Sequence, residues 1–199
     1  MVDLEPNAPW PVTFSAPAKI NLNLQVLSSR DDGYHELQTF MQKLELADRI
    51  TLTPSTSLEL SCPDLSLSGD KDNLAYKAAL LFGERFSRLP EVRIVIEKNI
   101  PVAAGLGGGS SDAGLVLRGL NNMFGFPLSN EELERMGGLL GADVPFFISD
   151  CQAALATGIG DRIEKKNLYR VTGVFWLTLV MESLPGMSMI SLTEFPPVN

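Results

Sequence analysis

Apolar and polar residues alternate near the start of the chain, a pattern typical of a half-buried β-strand. Within residues 13–28, Ile20, Leu22, Leu24 and Val26 alternate with polar residues, as expected of a strand that buries one face. The Arg-Asp-Asp-Gly segment at 30–33 predicts a turn, because glycine readily adopts a positive φ. Extended stretches are predicted at 34–46 and 49–53, and the first of them should pair with the preceding strand as an antiparallel hairpin.

Helical spacing of apolar residues replaces this alternation after position 70. A helix is predicted to start at 70–73, a second one at Ser110, and a third one at the capping pair Ser129 and Glu132, ending near residue 141. One face of the first helix carries Ala75, Ala79, Phe82 and Phe86. Short strands are predicted at 92–96, 153–157 and 174–180. Strands and helices are mixed without regular βαβ alternation, which predicts an α+β fold.

Composition and charge are those of an acidic globular protein. The 199 residues include 16 Lys and Arg against 24 Asp and Glu, a net charge of −8. Nonspecific nucleic-acid binding depends on a basic face, so no nucleic-acid partner is expected. Cys62 and Cys151 lack the spacing of a zinc ribbon or a disulfide framework. The sequence shows neither a signal peptide nor an apolar run of about 18 residues, which favours a cytoplasmic protein without a membrane partner.

The segment Pro-Val-Ala-Ala-Gly-Leu-Gly-Gly-Gly-Ser-Ser-Asp at 101–112 predicts an anion site. The glycines at 107–109 let backbone N–H groups converge where a helix begins, and such a helix N-terminus favours an anion. Ser110 and Ser111 add hydroxyls within reach of phosphate oxygens. The pattern therefore predicts a di- or triphosphate ligand. A Walker loop would need a lysine here, and the dinucleotide fingerprint would need glycine in place of Ser110.

At this loop the chain resembles the GHMP kinases, small-molecule kinases whose phosphate loop has the form Pro-x-x-x-Gly-Leu-Gly-x-x-Ser-Ser. Three further segments extend the resemblance: Ala16–Leu22, Asp32–His35 and Gly141–Pro145. It implies that residues 1–164 form a GHMP kinase N-terminal ATP-binding domain, a mixed or antiparallel sheet with helices on one face. Residues 165–199 would be a truncated or divergent start of the C-terminal domain, and our hypothesis is a truncated or frame-altered reading after about residue 164.

The resemblance also implies a catalytic pair, Lys19 and Asp143. The lysine would stabilise charge near the transferred phosphoryl group, and the aspartate would accept the proton of a substrate hydroxyl. On residue pattern alone, Lys19 would be a solvated charge on a polar strand face. Asp143 would be a loop or capping residue, fixed on a non-helical segment before Pro145.

ATP with Mg²⁺ is the implied co-substrate, and the magnesium would arrive with the nucleotide rather than at a metal site of the protein. Asn21 would line the catalytic site, while Tyr34 and His35 resemble a cytidine-recognition segment, although a lone histidine is more often structural. The implied nucleotide-binding residues are Lys98, Pro101, Val102, Ala103, Ala104, Gly105, Leu106, Gly107, Gly108, Gly109, Ser110 and Ser111. The implied reaction phosphorylates the 2-hydroxyl of a cytidine diphosphate-linked methylerythritol, a small-molecule substrate of the non-mevalonate route to isoprenoid precursors.

Three other functions stay open at this point. A nucleotide-binding remnant without turnover is favoured by the departure after residue 164. A GHMP kinase for another small alcohol is disfavoured by Tyr34 and His35. A dinucleotide-dependent hydride transferase is disfavoured by Ser110 and by the lack of βαβ alternation. The sequence predicts no oligomeric state.

Overall fold

The computed structural model describes residues 10–29, 33–62, 72–125, 127–160 and 162–166. Within these ranges the strands are β1 (Val12–Ser29), β2 (His35–Pro54), β3 (Glu59–Ser61), β4 (Val92–Glu97), β5 (Ala153–Thr157) and β6 (Arg162–Lys166). The helices are α1 (Leu74–Arg85), α2 (Gly108–Met123), α3 (Asn130–Gly138) and α4 (Val144–Ile148). None of these four helices is long and apolar enough to cross a membrane.

Strand β2 organises a single mixed sheet. β1 pairs with it in an antiparallel hairpin, as predicted, from Val12 opposite Leu52 to Ser29 opposite His35. β4 and β5 pair with different halves of β2, β6 extends the sheet beyond β5, and β3 pairs with β4 in parallel. The prediction of two separate stretches at 34–46 and 49–53 was wrong. They form one strand because β1 pairs along both of them, with Ala16 opposite Asp48 and Pro17 opposite Ala47 in the gap between them. The buried Asp48 carboxylate accepts hydrogen bonds from backbone amides beyond β4.

The core lies between the sheet and α2. Gly119 of α2 faces β1 and β2 so closely that a Cβ there would lie 2.5 Å from Leu52 Cδ1 and 2.9 Å from Phe14 Cε2. α1 and α4 pack on α2, and α3 packs on both α2 and α4. The alternation seen in the sequence therefore buries one strand face against a helical layer, which confirms the α+β class.

The helix starts follow local capping chemistry. Asn73 caps α1, with its Oδ1 accepting a 2.9 Å hydrogen bond from the Ala75 amide, and the capping box predicted at Ser129 and Glu132 starts α3. α2 begins at Gly108, two residues before the predicted start, because Gly107 takes the left-handed conformation of the capping position. α3 ends at Gly138 rather than near residue 141.

Three short elements escaped prediction: β3, β6 and α4. Each spans three to five residues, too few to establish a period. α4 begins directly after Asp143, in the segment expected to be non-helical, and Pro145 occupies its first turn, where a missing N–H costs no helical hydrogen bond. The strand predicted at 174–180 lies outside the described residues, as does most of the segment 165–199.

Candidate active site

Lys19 is buried beside the glycine loop. Its backbone N–H donates to the Leu106 carbonyl at 2.9 Å, and its side chain is only 6% exposed. The ammonium lies 3.0 Å from Asp143 Oδ2 and donates to Asn21 Oδ1 at 3.2 Å. The interpretation of Lys19 as a solvated surface charge is therefore wrong, and the fold brings together the three residues Lys19, Asn21 and Asp143.

Asp143 occupies the N-cap position of α4, yet its side chain makes no capping hydrogen bond. The carboxylate pairs with Lys19 instead, and it remains 32% exposed. A capping role therefore does not explain this aspartate. One side of the carboxylate is fixed by a buried cation, and solvent or a ligand can approach the other side.

The glycine loop crosses the site at Gly107. Gly105 and Gly107 both have a φ of 72°, a left-handed conformation that costs an L-residue about 1–2 kcal/mol. The space around the two differs: a Cβ on Gly107 would lie 3.0 Å from Phe147 Cζ and 3.1 Å from Lys19 Cγ, whereas one on Gly105 would have no neighbour within 4 Å. Gly107 thus lets the loop contact Lys19 directly.

An open cleft of about 350 Å³ lies against this loop and the first turn of α2. The first N–H groups of a helix have no partner within the helix, so a bound anion can accept from them. Each predicted nucleotide-binding residue lines this cleft except Ser111, which is fully buried. The other lining residues are Asp72, Asn73, Leu74, Ile100 and Asp112. In the described ranges, no three His, Cys, Asp or Glu side chains are grouped to hold a metal ion.

A buried charge cluster, formed by Asp48, Lys98 and Asp112, lies under the same turn. Lys98 Nζ donates to Asp48 Oδ2 and, at 2.8 Å, to Asp112 Oδ2. Burial raises the pKa of the Asp112 carboxyl to about 7, although Lys98 opposes this. Burial alone would lower the pKa of Lys98, but the carboxylates of Asp112 and Asp48 outweigh it and raise that pKa.

Sequence reasoning found Lys98 but missed both carboxylates. The signal was present, because Asp48 is in phase with the buried Ile50 and Leu52 of its strand. Asp112 likewise lies one helical turn before the buried Val116. A charged residue in phase with a buried apolar face indicates a paired buried charge.

Tyr34 and His35 lie at the distant end of the β1–β2 hairpin. Both are exposed, and His35 opposes Ser29 in the ladder. Contacts lead from there towards Lys19 and Asp143: the Leu37 amide donates to the Gly158 carbonyl at 2.7 Å. A Cβ on Gly160 would lie 3.9 Å from Leu37 Cδ1 and 3.8 Å from the Cβ of Ala142, the residue before Asp143. The turn at 158–160 therefore connects the start of β2 with the segment that carries Asp143.

Comparison with known proteins agrees with this geometry. Residues 73–150 match the family model described as the GHMP kinases N terminal domain. Over 153 residues, the chain is 56% identical to a 4-diphosphocytidyl-2-C-methyl-D-erythritol kinase of Desulfotalea psychrophila, covering 75% of this chain and 51% of that protein. The corresponding kinase of Syntrophotalea carbinolica is 51% identical over 155 residues, with 77% and 55% covered.

A solved structure supports the same relationship. The crystal structure of a 4-(cytidine 5'-diphospho)-2C-methyl-D-erythritol kinase superimposes with a TM-score of 0.69 at 42% identity, covering 79% of this chain and 56% of that one. The chain spans about half the length of the curated relatives that it matches.

Proposed function

The chain contains a GHMP kinase N-terminal domain, and from this premise we propose that it phosphorylates the 2-hydroxyl of 4-diphosphocytidyl-2-C-methyl-D-erythritol with ATP, in the non-mevalonate route to isoprenoid precursors. The observation that carries the proposal is the Lys19–Asp143 pair, 3.0 Å apart and adjoining the glycine loop. The names of the relatives at 56% and 51% identity support the choice of substrate.

In this proposal the cleft binds the polyphosphate of magnesium-ATP. Backbone amides of the first α2 turn hold phosphate oxygens, and the magnesium is bound mainly through the phosphates themselves. The wall includes Lys98 and residues 101–110, and we include Ser111 because its buried hydroxyl has no hydrogen-bond partner among the described residues. Ser110 Oγ lies 4.0 Å from the Cβ position of Gly141, so a terminal phosphate at Ser110 would lie near the Asp143 segment.

Asp143 is then the group that accepts the substrate proton. As the hydroxyl oxygen forms its bond to the γ-phosphorus, its proton passes to the Asp143 carboxylate and the bond to the bridging oxygen of ADP breaks. Lys19 stabilises the negative charge of the phosphoryl group during transfer. Asn21 fixes the lysine through the 3.2 Å hydrogen bond, so the pair is preorganised before substrate binds.

We propose that the hairpin end recognises the cytidine. Tyr34 directly precedes β2 and is 60% exposed, and Val26 and Leu27 of β1 are 61% and 59% exposed. An exposed aromatic ring offers a stacking surface for a base, and His35 adds a hydrogen-bonding group. The turn at 158–160 links this end to Asp143, so an elongated substrate could span both.

The remaining proposals concern organisation. Residues 1–164 form the ATP-binding domain, residues 165–199 begin a C-terminal domain, and a cytoplasmic location is proposed for the protein. A second candidate function is nucleotide binding without turnover, in which the cleft beside the glycine loop binds ATP but no phosphate is transferred.

Product analysis tests the proposal. The 199-residue chain is incubated with magnesium-ATP and 4-diphosphocytidyl-2-C-methyl-D-erythritol, mevalonate or homoserine, and phosphorylated products are identified by mass. We expect phosphorylation of the cytidine diphosphate derivative alone, inhibited by free cytidine diphosphate. Phosphorylation of mevalonate or homoserine instead would indicate another small alcohol as substrate. ATP binding without any product would favour the second candidate.

A further inference from the structure

The buried charge cluster holds both ends of the glycine loop. At the entry, Asp48 Oδ1 accepts hydrogen bonds from the backbone amides of Asn99 at 2.6 Å and Ile100 at 2.8 Å. At the exit, Asp112 belongs to the second turn of α2 and accepts from Lys98 Nζ at 2.8 Å. Lys98 joins the two carboxylates, so β2, the end of β4 and α2 are fixed to one another around the loop.

The cluster also touches the helix turn that would meet the phosphates. The Cβ position of Gly108, the first residue of α2, lies 3.2 Å from Lys98 Nζ and 3.4 Å from Asp48 Oδ2. These side chains therefore lie directly against the start of α2, where they can support the backbone amides that line the cleft. The side chains of Asp48, Asp112 and Lys98 are 0%, 4% and 11% exposed, so water cannot replace a lost partner cheaply.

The charge of Lys98 is already balanced within this cluster. Its ammonium donates to both carboxylates, and the charged groups that act most strongly on the Asp112 carboxyl are Lys98, just beyond β4, and Asp48 of β2. A lysine that binds phosphate must direct an N–H at the ligand, and two of the three N–H donors of Lys98 are already used within the cluster.

We propose that Asp48, Lys98 and Asp112 are positioning residues for the glycine loop, and that Lys98 acts on the nucleotide through the loop backbone rather than as a phosphate ligand. This inference rests on the proposed function, because it concerns how the same cleft binds ATP. It adds Asp48 and Asp112 to the nucleotide-binding machinery and changes the role of Lys98 from contact to support.

A double-mutant cycle tests the inference with the full chain. Lys98→Met leaves the carboxylates of Asp48 and Asp112 buried without their cation. Lys98→Met/Asp112→Leu leaves only that of Asp48, whose Oδ1 still accepts from the Asn99 and Ile100 amides. Breaking a buried ion pair is strongly destabilising, whereas replacing its members with apolar residues is often tolerated. The dissociation constant for magnesium-ATP is measured by isothermal titration calorimetry, at a temperature where circular dichroism shows each variant folded. Arg93→Met, which removes a cation from the exposed pair with Glu59, controls for net charge.

We expect Lys98→Met to weaken ATP binding at least about tenfold, the double variant to recover part of that loss, and Arg93→Met to bind like wild type. A double variant that binds as weakly as Lys98→Met would overturn the inference and identify Lys98 as a direct ligand. Wild-type chain that fails to bind ATP would contradict the proposed function itself, and with it this inference.

Asp112→Asn provides a second readout, which holds even if Lys98→Met does not fold. Asparagine keeps the shape of the side chain and leaves Lys98 paired with Asp48. Because asparagine removes the charge that holds Lys98 to α2, the positioning role predicts ATP binding at least about threefold weaker than in wild type, with an unchanged salt dependence. If Lys98 were a phosphate ligand restrained by Asp112, this variant would bind ATP more tightly and with a steeper salt dependence, which would overturn the inference.

Discussion

Gly107 offers a direct perturbation of the contact between the glycine loop and Lys19. Gly107→Ala adds a methyl group whose carbon would lie 3.0 Å from Phe147 Cζ and 3.1 Å from Lys19 Cγ. Phe147 is 1% exposed and Lys19 5%, so neither can swing away into solvent. The chain also provides a matched control in Gly105, which has the same φ of 72° but no neighbour within 4 Å of its Cβ position.

The two substitutions share two energetic contributions and differ in a third. Both place alanine in the left-handed region, at a cost of about 1–2 kcal/mol, and both gain about 0.4–1 kcal/mol because alanine restricts the unfolded chain. Only Gly107→Ala adds crowding in a packed interior, which typically costs about 1–3 kcal/mol. We therefore expect Gly107→Ala to be about 1–3 kcal/mol less stable than Gly105→Ala.

Urea unfolding of both variants measures this difference, and phosphate transfer measures its functional consequence. Displacement of Lys19 should separate it from Asp143, so kcat should fall further in Gly107→Ala than in Gly105→Ala. Equal unfolding free energies, within about 0.5 kcal/mol, would refute the argument that the loop packs on Lys19 and Phe147.

Two further predictions concern the core and the charge cluster. Gly119→Ala should lower the free energy of unfolding by about 1–3 kcal/mol or more, because the added Cβ would lie 2.5 Å from Leu52 Cδ1. The control Gly138→Ala, whose Cβ would have its nearest neighbour at 3.9 Å, should change the free energy of unfolding by less than about 1 kcal/mol. Equal urea midpoints for the two variants would contradict this prediction. In the folded chain the pKa of Asp112 is raised to about 7, against 3.8 for an ordinary aspartate. Between these values the folded chain holds a proton that the unfolded chain has lost, so the free energy of unfolding of wild type should fall as the pH rises, by up to about 1.4 kcal/mol per pH unit. Asp112→Asn should lose that pH dependence, so its free energy of unfolding in urea should rise relative to that of wild type between pH 5 and pH 7. A difference in unfolding free energy that stays the same at both pH values would contradict this prediction.

Local patterns predicted much of the scaffold. Alternation from Ile20 to Val26 predicted β1 and its hairpin. Capping chemistry predicted the starts of α1 and α3, because Asn73 and Ser129 satisfy amides within three residues of themselves. Such features depend on neighbours in the sequence, so they can be inferred without the fold.

Features that depend on distant partners were harder to predict. Asp48 is buried within β2, and its carboxylate is satisfied by the amides of Asn99 and Ile100, about 50 residues away in the sequence. Lys19 is on a polar face of its strand, and burial follows from the loop and from Asp143, which reach it from elsewhere in the chain. The family resemblance identified Lys19 and Asp143, but their 3.0 Å contact required the fold.

The most direct test of the central claim is the rate of phosphate transfer in Asp143→Asn. The control is Asp150→Asn, which alters a 42% exposed carboxylate that pairs with Arg118. Product formation from magnesium-ATP and 4-diphosphocytidyl-2-C-methyl-D-erythritol is measured for both variants and for wild type, with ATP affinity determined in parallel. We predict that Asp143→Asn retains ATP binding but loses about 10²–10⁴-fold in kcat, while Asp150→Asn keeps the wild-type rate. Wild-type turnover in Asp143→Asn, or none in wild-type chain that binds ATP, would contradict the claim.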